Sequence, residues 1–349
     1  SYAIRTLVKV QILEKNISCM IIEDEPMVAF RGIHMCLFNY NDGSEKDDTH
    51  PDVVIKRIEL AALMGYNHVF IEFWGMFPYE KHPYACFRCS DYTKEKIEEI
   101  VNHCINDLHI IPCPAQNLTS HAAWSRITTR QHVVLDQRPD LADRYIPGGW
   151  CFATENPATK QFLRDVIDEL IDAFHNPPMI HMGCDKAFGF GSTEEDRTKS
   201  ADILLATHIS NLNTYISSKG VRPVMWADML YSSMDSLTFK ASPFVSDTLP
   251  RNILMNIWTH NDIGEYWHDV EFFEDKGFQT VYSPFINYDS ITSMIKLCIS
   301  KKSKGIMQTT WHKPEYAKPY FTYSIAKQWN FNEKHDPIKV NKFLEIFDK

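Results

Sequence analysis

No apolar run in the 349 residues approaches the ~18–20 residues that a membrane-crossing helix needs, so a soluble chain with no membrane partner is expected. No basic tract is present either. The net charge is −9, which argues against nucleic acid as a partner. No glycine-rich turn follows any candidate strand, so a phosphate cradle of the doubly wound type is not expected. Cys86 and Cys89 form a CxxC, but no second CxxC or HxxxH completes a zinc set; no metal and no cofactor are expected. The 9 cysteines are an odd number for a disulfide framework, and Cys36, Cys113 and Cys184 fall in apolar runs where thiols pack as small hydrophobic groups. Free thiols and a reducing, cytoplasmic setting follow as expectations. Internal repeats and low-complexity stretches are also missing, and nothing in the sequence sets an oligomeric state.

What is present is a large apolar content, 44% hydrophobic and 13% aromatic, and a repeating pattern from Ala29 onward. Eight short apolar runs ("FRGIHMCLF", "HVFIEFWG", "HIIPCPAQN", "MIHMGCDK", "RPVMWADM", "ILMNIWTH", "FQTVYSPFIN" and "KGIMQTTWH") read as buried parallel strands. Amphipathic helices lie between them. In "TKEKIEEIVNHCINDL" Ile97, Ile100, Val101, Cys104, Ile105 and Leu108 form one face, with Thr93 as N-cap. Asn156-Pro157 opens a second helix, and Gly65 closes "PDVVIKRIELAALMG". Strand and helix alternating in this way predict a (β/α)8 TIM barrel over residues 27–349. Residues 1–26, a helix-like "YAIRTLVKVQIL" followed by a strand-like "ISCMIIED", read as the C-terminal remnant of a small α/β domain, the tail of something longer.

In such barrels the chemistry sits at the C-terminal ends of the strands. Those ends carry, in order, Arg31 and His34; Glu72 and Trp74; Gln116, Asn117 and His121; His181, Asp185 and Lys186; Trp226 and Asp228; Trp258 and His260; Asn287, Tyr288 and Asp289; and Trp311 with His312. Indoles mixed with carboxylates, amides and an arginine suit a carbohydrate: the rings stack on the apolar face of a pyranose and the polar groups read its hydroxyls. A tryptophan at a strand end is equally ordinary core packing.

"IIEDEPMVAFRGIHMCLF" resembles the segment by which glycoside hydrolase family 20, the β-N-acetylhexosaminidases, enters its first barrel strand, with an "EDxPxxxxRG" pattern. "HMGCDK" is similar to that family's H-x-G-x-D-E motif, and "IEFWGMFPYE" and "GIMQTTWHKPEYAKPY" look most like the hexosaminidase D branch. The resemblance implies substrate-assisted retaining hydrolysis of a terminal β-linked N-acetylhexosaminide, in which the sugar's own acetamido oxygen attacks the anomeric carbon. By position it makes Asp185 the carboxylate that orients the acetamido group, Arg31 and His121 sugar-binding groups, and Tyr288 the hydroxyl on the acetamido oxygen. Trp226, Trp258 and Trp311 become the walls, with Glu72 and Asp228 also on the substrate side.

The departure is Lys186, which stands where the resemblance puts a glutamate acting as general acid. Cys36 and Ala227 likewise occupy places where relatives often carry acidic residues. An unperturbed ammonium has a pKa of about 10.4 and is a poor proton donor to a glycosidic oxygen at neutral pH. Four outcomes stay open. The site is a non-catalytic sugar-binding pseudoenzyme; the acid comes from Glu72, Glu80, Asp228 or a histidine; Lys186 pairs with an anionic sugar substituent; or the charge reversal was introduced at this one position.

Overall fold

The chain is described by a computed structural model covering residues 2–13, 21, 25–37, 49–86, 92–122, 134–231, 244–265, 267–311, 314–332, 340, 343–345 and 347. Most of the strand-like "ISCMIIED", and His312, lie outside these residues. The eight expected strands form: β1 (Phe30–Cys36), β2 (His68–Glu72), β3 (Ile111–Ala115), β4 (Met179–His181), β5 (Arg222–Trp226), β6 (Leu254–Trp258), β7 (Gln279–Ser283) and β8 (Gly305–Thr309). Each pairs in parallel with the next, and β8 returns to β1, so the sheet closes into a barrel in sequence order.

Period-two alternation divides each strand between two cores. Phe30, Phe70, Cys113, Ala115, Met179, Val224, Trp226, Leu254, Val281 and Met307 fill the barrel interior. The intervening residues, such as Ile33, Val69, Ile71, Ile180, Met225, Met255 and Ile306, pack outward against the helices. Strands buried on both faces read as unbroken apolar runs, which is why the sequence gives them no amphipathic signature.

The longer helices are α1 (Tyr2–Leu13), α2 (Pro51–Met64), α3 (Lys94–Asn102), α4 (Pro157–Ala173), α5 (Ala201–Ser218), α6 (His268–Asp275), α7 (Tyr288–Lys301) and α8 (Pro314–Trp329). Their ends follow the sequence. Thr93 accepts from the Lys96 N–H, Asn156 accepts from Ala158 and Thr159, and Gly65 is the C-cap of α2. The stripe after Thr93 predicts a helix continuing to Leu108; instead it widens into a π turn at His103–Asp107. His103 is drawn there between Asp107 (2.7 Å) and Glu59 (3.1 Å). α1 lies beside α2, and Arg5 donates to the Leu108 carbonyl. Among the described residues no helix is long and apolar enough to cross a membrane. Cys36, Cys86, Cys104, Cys113, Cys151, Cys184 and Cys298 form no disulfide among the described residues, and all but Cys86 are buried.

The closure between β8 and β1 depends on Gly305. A Cβ there would lie 2.1 Å from the Phe30 carbonyl oxygen, and backbone cannot yield as a flexible side chain does. Gly305→Ala is therefore expected to destabilise the fold by ~3 kcal/mol. Denaturant titration reads this directly, and an unchanged midpoint would mean that the two strands can part without cost.

Candidate active site

Because all eight strands run the same way, their C-terminal ends share one face, and the residues just beyond β3, β4, β5, β6 and β8 meet there. Asp185, only 3% exposed, is the centre of the group. Asn117 donates to its Oδ1 at 2.5 Å, His121 Nε2 stands 3.4 Å from its Oδ2, and the Lys186 ammonium is 2.6 Å from the same Oδ2. Ser120 donates to the Asp185 carbonyl. Asn117 is itself fixed, its amide oxygen accepting from the N–H groups of Thr119 (3.2 Å), Ser120 (3.0 Å) and Cys184 (3.4 Å).

Gly183 makes this approach possible. Its φ is +68°, and a Cβ would fall 2.5 Å from the Asn117 side chain and 2.6 Å from its Cα. Five non-glycine residues around the mouth also hold a left-handed backbone: Trp74, His121, Cys184, Lys186 and Trp311. Such conformations cost ~1–3 kcal/mol each and persist where the surroundings over-determine them, commonly at functional sites.

The indoles line this centre at different depths. Trp226, 2% exposed, is the floor, with His181 (4.4 Å between ring centroids), Trp311 (5.2 Å) and His34 (5.6 Å) around it. Trp258 stands on the wall, its Nε1–H donating to Asp228 at 3.1 Å. The Nε1–H of Trp311 is buried without a partner among the described residues, which leaves a donor for a ligand. Lys186 bends across this wall rather than out to solvent. Its Nζ lies 4.8 Å from the Trp258 ring centroid and 5.6 Å from that of Trp311, as a cation held on aromatic faces.

Asp228 is fully buried and anchors the loop after β4: its Oδ2 accepts the Lys186 backbone N–H at 3.1 Å. Glu72, also buried, is 3.0 Å from His34 Nε2 in the barrel interior.

The charges follow from these contacts. Burial alone would raise the Asp185 carboxyl, but the Lys186 ammonium and then His121 outweigh it and hold it well below the usual carboxylate range. For Lys186 burial acts downward, yet Asp185 and Asp228 keep it above its ordinary value, so it is an ammonium at neutral pH. Burial pushes the Asp228 carboxyl up to about 6, Lys186 acting against this and Asp185 with it.

One sequence expectation is corrected. Arg31 is not at the mouth. It is the second residue of β1, near its N-terminal end, and it faces outward between inward-facing Phe30 and His34. There its guanidinium donates to the carbonyls of Gly65 (2.9 Å) and Val28 (2.9 Å) and lies over Trp329. It ties the closed end of the barrel. Tyr288, expected to reach the acetamido oxygen of a bound sugar, packs against other tyrosines in this structure. It is the first residue of α7, and its ring stacks on Tyr320 at 4.6 Å and meets Tyr323 at 4.9 Å. Glu80, proposed as an alternative acid, is an exposed carboxylate paired with Lys94 at 2.5 Å.

Sequence reasoning missed Trp150. It donates to the Lys186 carbonyl at 2.7 Å, and its ring packs on His121 at 4.3 Å between centroids. It belongs to the long segment between β3 and α4, so inspection of strand ends could not find it. Asn117 was visible at the end of β3 but carried no signal separating a positioning amide from a loop residue.

Buried titrating groups give the fold a defined pH response. Burial lowers the imidazoles of His68 and His208 to about 4 and of His181 to about 3. Below the ordinary value of 6.5 the unfolded chain therefore takes up three protons that the folded chain refuses, and stability falls as the pH drops toward 4. Asp228 acts oppositely: it is protonated below about 6 in the folded state, whereas unfolded it stays ionised down to its ordinary 3.8. The histidines outnumber it, each group contributing on the order of 1 kcal/mol per pH unit. A falling melting temperature between pH 6.5 and 4.5 is expected, and Asp228→Asn should steepen the fall. A flat profile in both proteins would show that these groups are hydrated in the folded state.

Comparison with known proteins bears on the family and the fold. The profile of the family described as "Glycosyl hydrolase family 20, catalytic domain" matches residues 79–334. Hexosaminidase D of Bos taurus is 26% identical over 183 residues, 49% of this chain and 49% of that protein. Hexosaminidase D of Homo sapiens is 25% identical over 184 residues, 49% of this chain and 35% of that one. The matched part thus spans half or less of these relatives. Among solved structures, the Flavobacterium johnsoniae chitobiase superposes with a TM-score of 0.68 at 19% identity, over 99% of this chain and 55% of its own. The β-N-acetylhexosaminidase of Bacteroides fragilis NCTC 9343 gives 0.68 at 15% identity, over 96% of this chain and 74% of its own. At such identities the two structures speak for the fold. The family profile covers well over half of the sequence, including the segment that carries Asp185 and Lys186, and on that ground the chain belongs to glycosyl hydrolase family 20.

Proposed function

We propose that the mouth of the barrel binds a terminal β-linked N-acetylhexosamine, and that hydrolysis there is confined to glycosides whose leaving group departs without a proton. The observation that carries this reading is the Asp185–Lys186 pair. Asp185 is buried, ionised and held by Asn117 and His121, as a carboxylate must be to orient an acetamido group and stabilise the positive charge of an oxazolinium. The neighbouring position supplies an ammonium whose proton is held more tightly than usual, so it cannot act as the general acid.

Asp228 has the acid-like pKa, but both of its oxygens already accept N–H groups and face the protein. It positions the loop. Sugar binding requires the ammonium to leave the faces of Trp258 and Trp311, which the stacked pyranose then takes over. An anionic sugar fits less well, because Asp185 already neutralises Lys186 and both Asp228 and Glu72 add their fields.

Nitrophenyl and fluorinated aryl N-acetyl-β-hexosaminides should be turned over measurably, and N-acetylhexosamine disaccharides barely. Rapid disaccharide hydrolysis would overturn the reading and require another acid. The second reading, a non-catalytic sugar-binding protein, is favoured by the same 2.6 Å contact, which ties up the oxygen the acetamido group would need. Sugar binding with no turnover even of the best leaving group would establish it.

A further inference from the structure

Away from the barrel mouth, a second cavity of about 270 Å³ lies in the helical layer between α4 and α5. Lys160 and Arg164 line it from α4, and His208, Asn211 and Tyr215 from α5. Residues three and four apart share one face of a helix, so each set forms one wall. Leu163, Ile167 and Leu212, all buried, give the space between them an apolar floor. Thr154 and Glu155, just before α4, complete the lining at its start.

The α4 wall is basic, against the trend of a chain whose net charge is −9. Lys160 and Arg164 stand one helical turn apart, a spacing at which like charges weaken a helix. The acid one turn beyond Arg164 is Asp168, but Lys219 (2.8 Å) and the Tyr215 hydroxyl (2.8 Å) occupy that carboxylate. Among the described residues Arg164 forms no ion pair, and its guanidinium lies 5.5 Å from the Tyr215 ring centroid. Glu155 is the one acid among the lining residues. It is shared between Lys199 (2.7 Å) and Lys160 (3.5 Å), so the positive charge of this wall is not compensated.

The lining also has hydrogen-bonding capacity to spare. Thr154 is 3% exposed, and its hydroxyl has no partner among the described residues; a buried polar group left in this way calls for a ligand or a water. His208 donates from Nε2 to the Leu118 carbonyl at 3.0 Å. Burial, and then the charge of Lys160, lowers this imidazole to about 4, so the ring is neutral and its Nδ1 is an acceptor. The Asn211 amide makes no bond among the described residues. By contrast, carboxylates outnumber lysines in the groove on the other flank of α4, beside α3, which would repel an anion.

We propose that the groove between α4 and α5 binds a small phosphorylated and hydroxylated metabolite, of the size of a monosaccharide phosphate, with Arg164 and Lys160 on its phosphate. A guanidinium matches two phosphate oxygens at once, and an ammonium one turn away neutralises the second charge. His208 Nδ1 and the Asn211 amide suit ligand hydroxyls, and the apolar floor suits its C–H face. The volume is just below the ~300–1,000 Å³ of most small-molecule pockets, which sets the ligand's size. The groove shares no residue with the cluster around Asp185, so it stands apart from the reading of the barrel mouth.

Titration calorimetry on the whole chain in ~0.15 M salt tests the proposal, with glucose 6-phosphate, glucose and inorganic phosphate as probes. Glucose 6-phosphate should bind about tenfold or more tighter than either of the other two. Arg164→Gln should weaken it by ~10-fold or more, the worth of a lost charge-assisted hydrogen bond, and Arg164→Lys, which keeps the charge but not the fork, by less. Arg164 is exposed, and an unchanged melting curve verifies that the variants are folded. No binding of glucose 6-phosphate, or an affinity that Arg164→Gln leaves unchanged, overturns the proposal. Inorganic phosphate bound as tightly as the ester would reduce the groove to an unselective anion patch and overturn the ligand class. Binding lost in Lys186→Gln but kept in Arg164→Gln would put the anion at the barrel mouth and likewise refute the site.

Discussion

Lys186→Glu should raise the hydrolysis of N-acetylhexosamine disaccharides by ~10²-fold or more, the typical worth of a positioned general acid. The site is prepared for such a group. The new carboxyl would stand beside ionised Asp185, near Asp228 and within the field of Glu72, in a place from which much water is excluded. Burial and like charges both raise a carboxyl pKa, which brings it toward the neutral range where an acid is protonated yet willing to donate. The backbone anchor does not change, because Asp228 and Trp150 hold the N–H and carbonyl of residue 186 and not its side chain. Rate profiles against pH should acquire a new basic limb, the signature of an essential acid. Lys186→Gln is the companion variant: it frees the faces of Trp258 and Trp311 and should tighten sugar binding, but it supplies no proton and should leave disaccharide turnover low. Equal gains from both variants would mean that the lysine obstructs the site and that no acid is missing. No gain from the glutamate, in a variant whose melting curve shows it folded, would refute the damaged-acid account.

Asp185→Asn should remove the residual turnover of activated aryl glycosides, by ~10²-fold or more, the range seen when one positioned stabilising group is deleted from a transition state. Among the described residues the carboxylate is the sole anion in direct contact with the ammonium, so its neutralisation has two consequences. The oxazolinium charge loses its partner, and Lys186 loses the neighbour that does most to raise its pKa, which then falls. Shape is nearly conserved, and one asparagine oxygen can still face His121. Sugar affinity should therefore fall far less than rate, and the separation of KM from kcat distinguishes loss of charge from loss of fold. Aryl glycoside turnover that survives Asp185→Asn would move the chemistry away from this residue.

The alternation of apolar runs with capped amphipathic helices determined the barrel, because each strand is buried on both faces and each helix on one, and few other architectures bury both patterns together. The caps at Thr93, Asn156 and Gly65 were legible for a local reason: the residue that satisfies a helix end is a near neighbour in sequence. The "HMGCDK" segment likewise put Asp185 and Lys186 at a strand end. Tertiary structure alone decided the rest. Arg31 lies in a strand whose residues alternate between lumen and helix layer, and a one-residue difference in parity, with its place near the closed end, takes it out of the site. Tyr288 follows a strand end in sequence, yet the packing of α7 on α8 turns its ring to Tyr320. Lys186 has a flexible stem, and its direction was fixed by its neighbour Asp185 together with groups remote in sequence: Trp258 and Trp311 across the mouth, and Asp228 beneath. A residue whose backbone and side-chain partners come from four different strand ends takes its position only when the barrel closes.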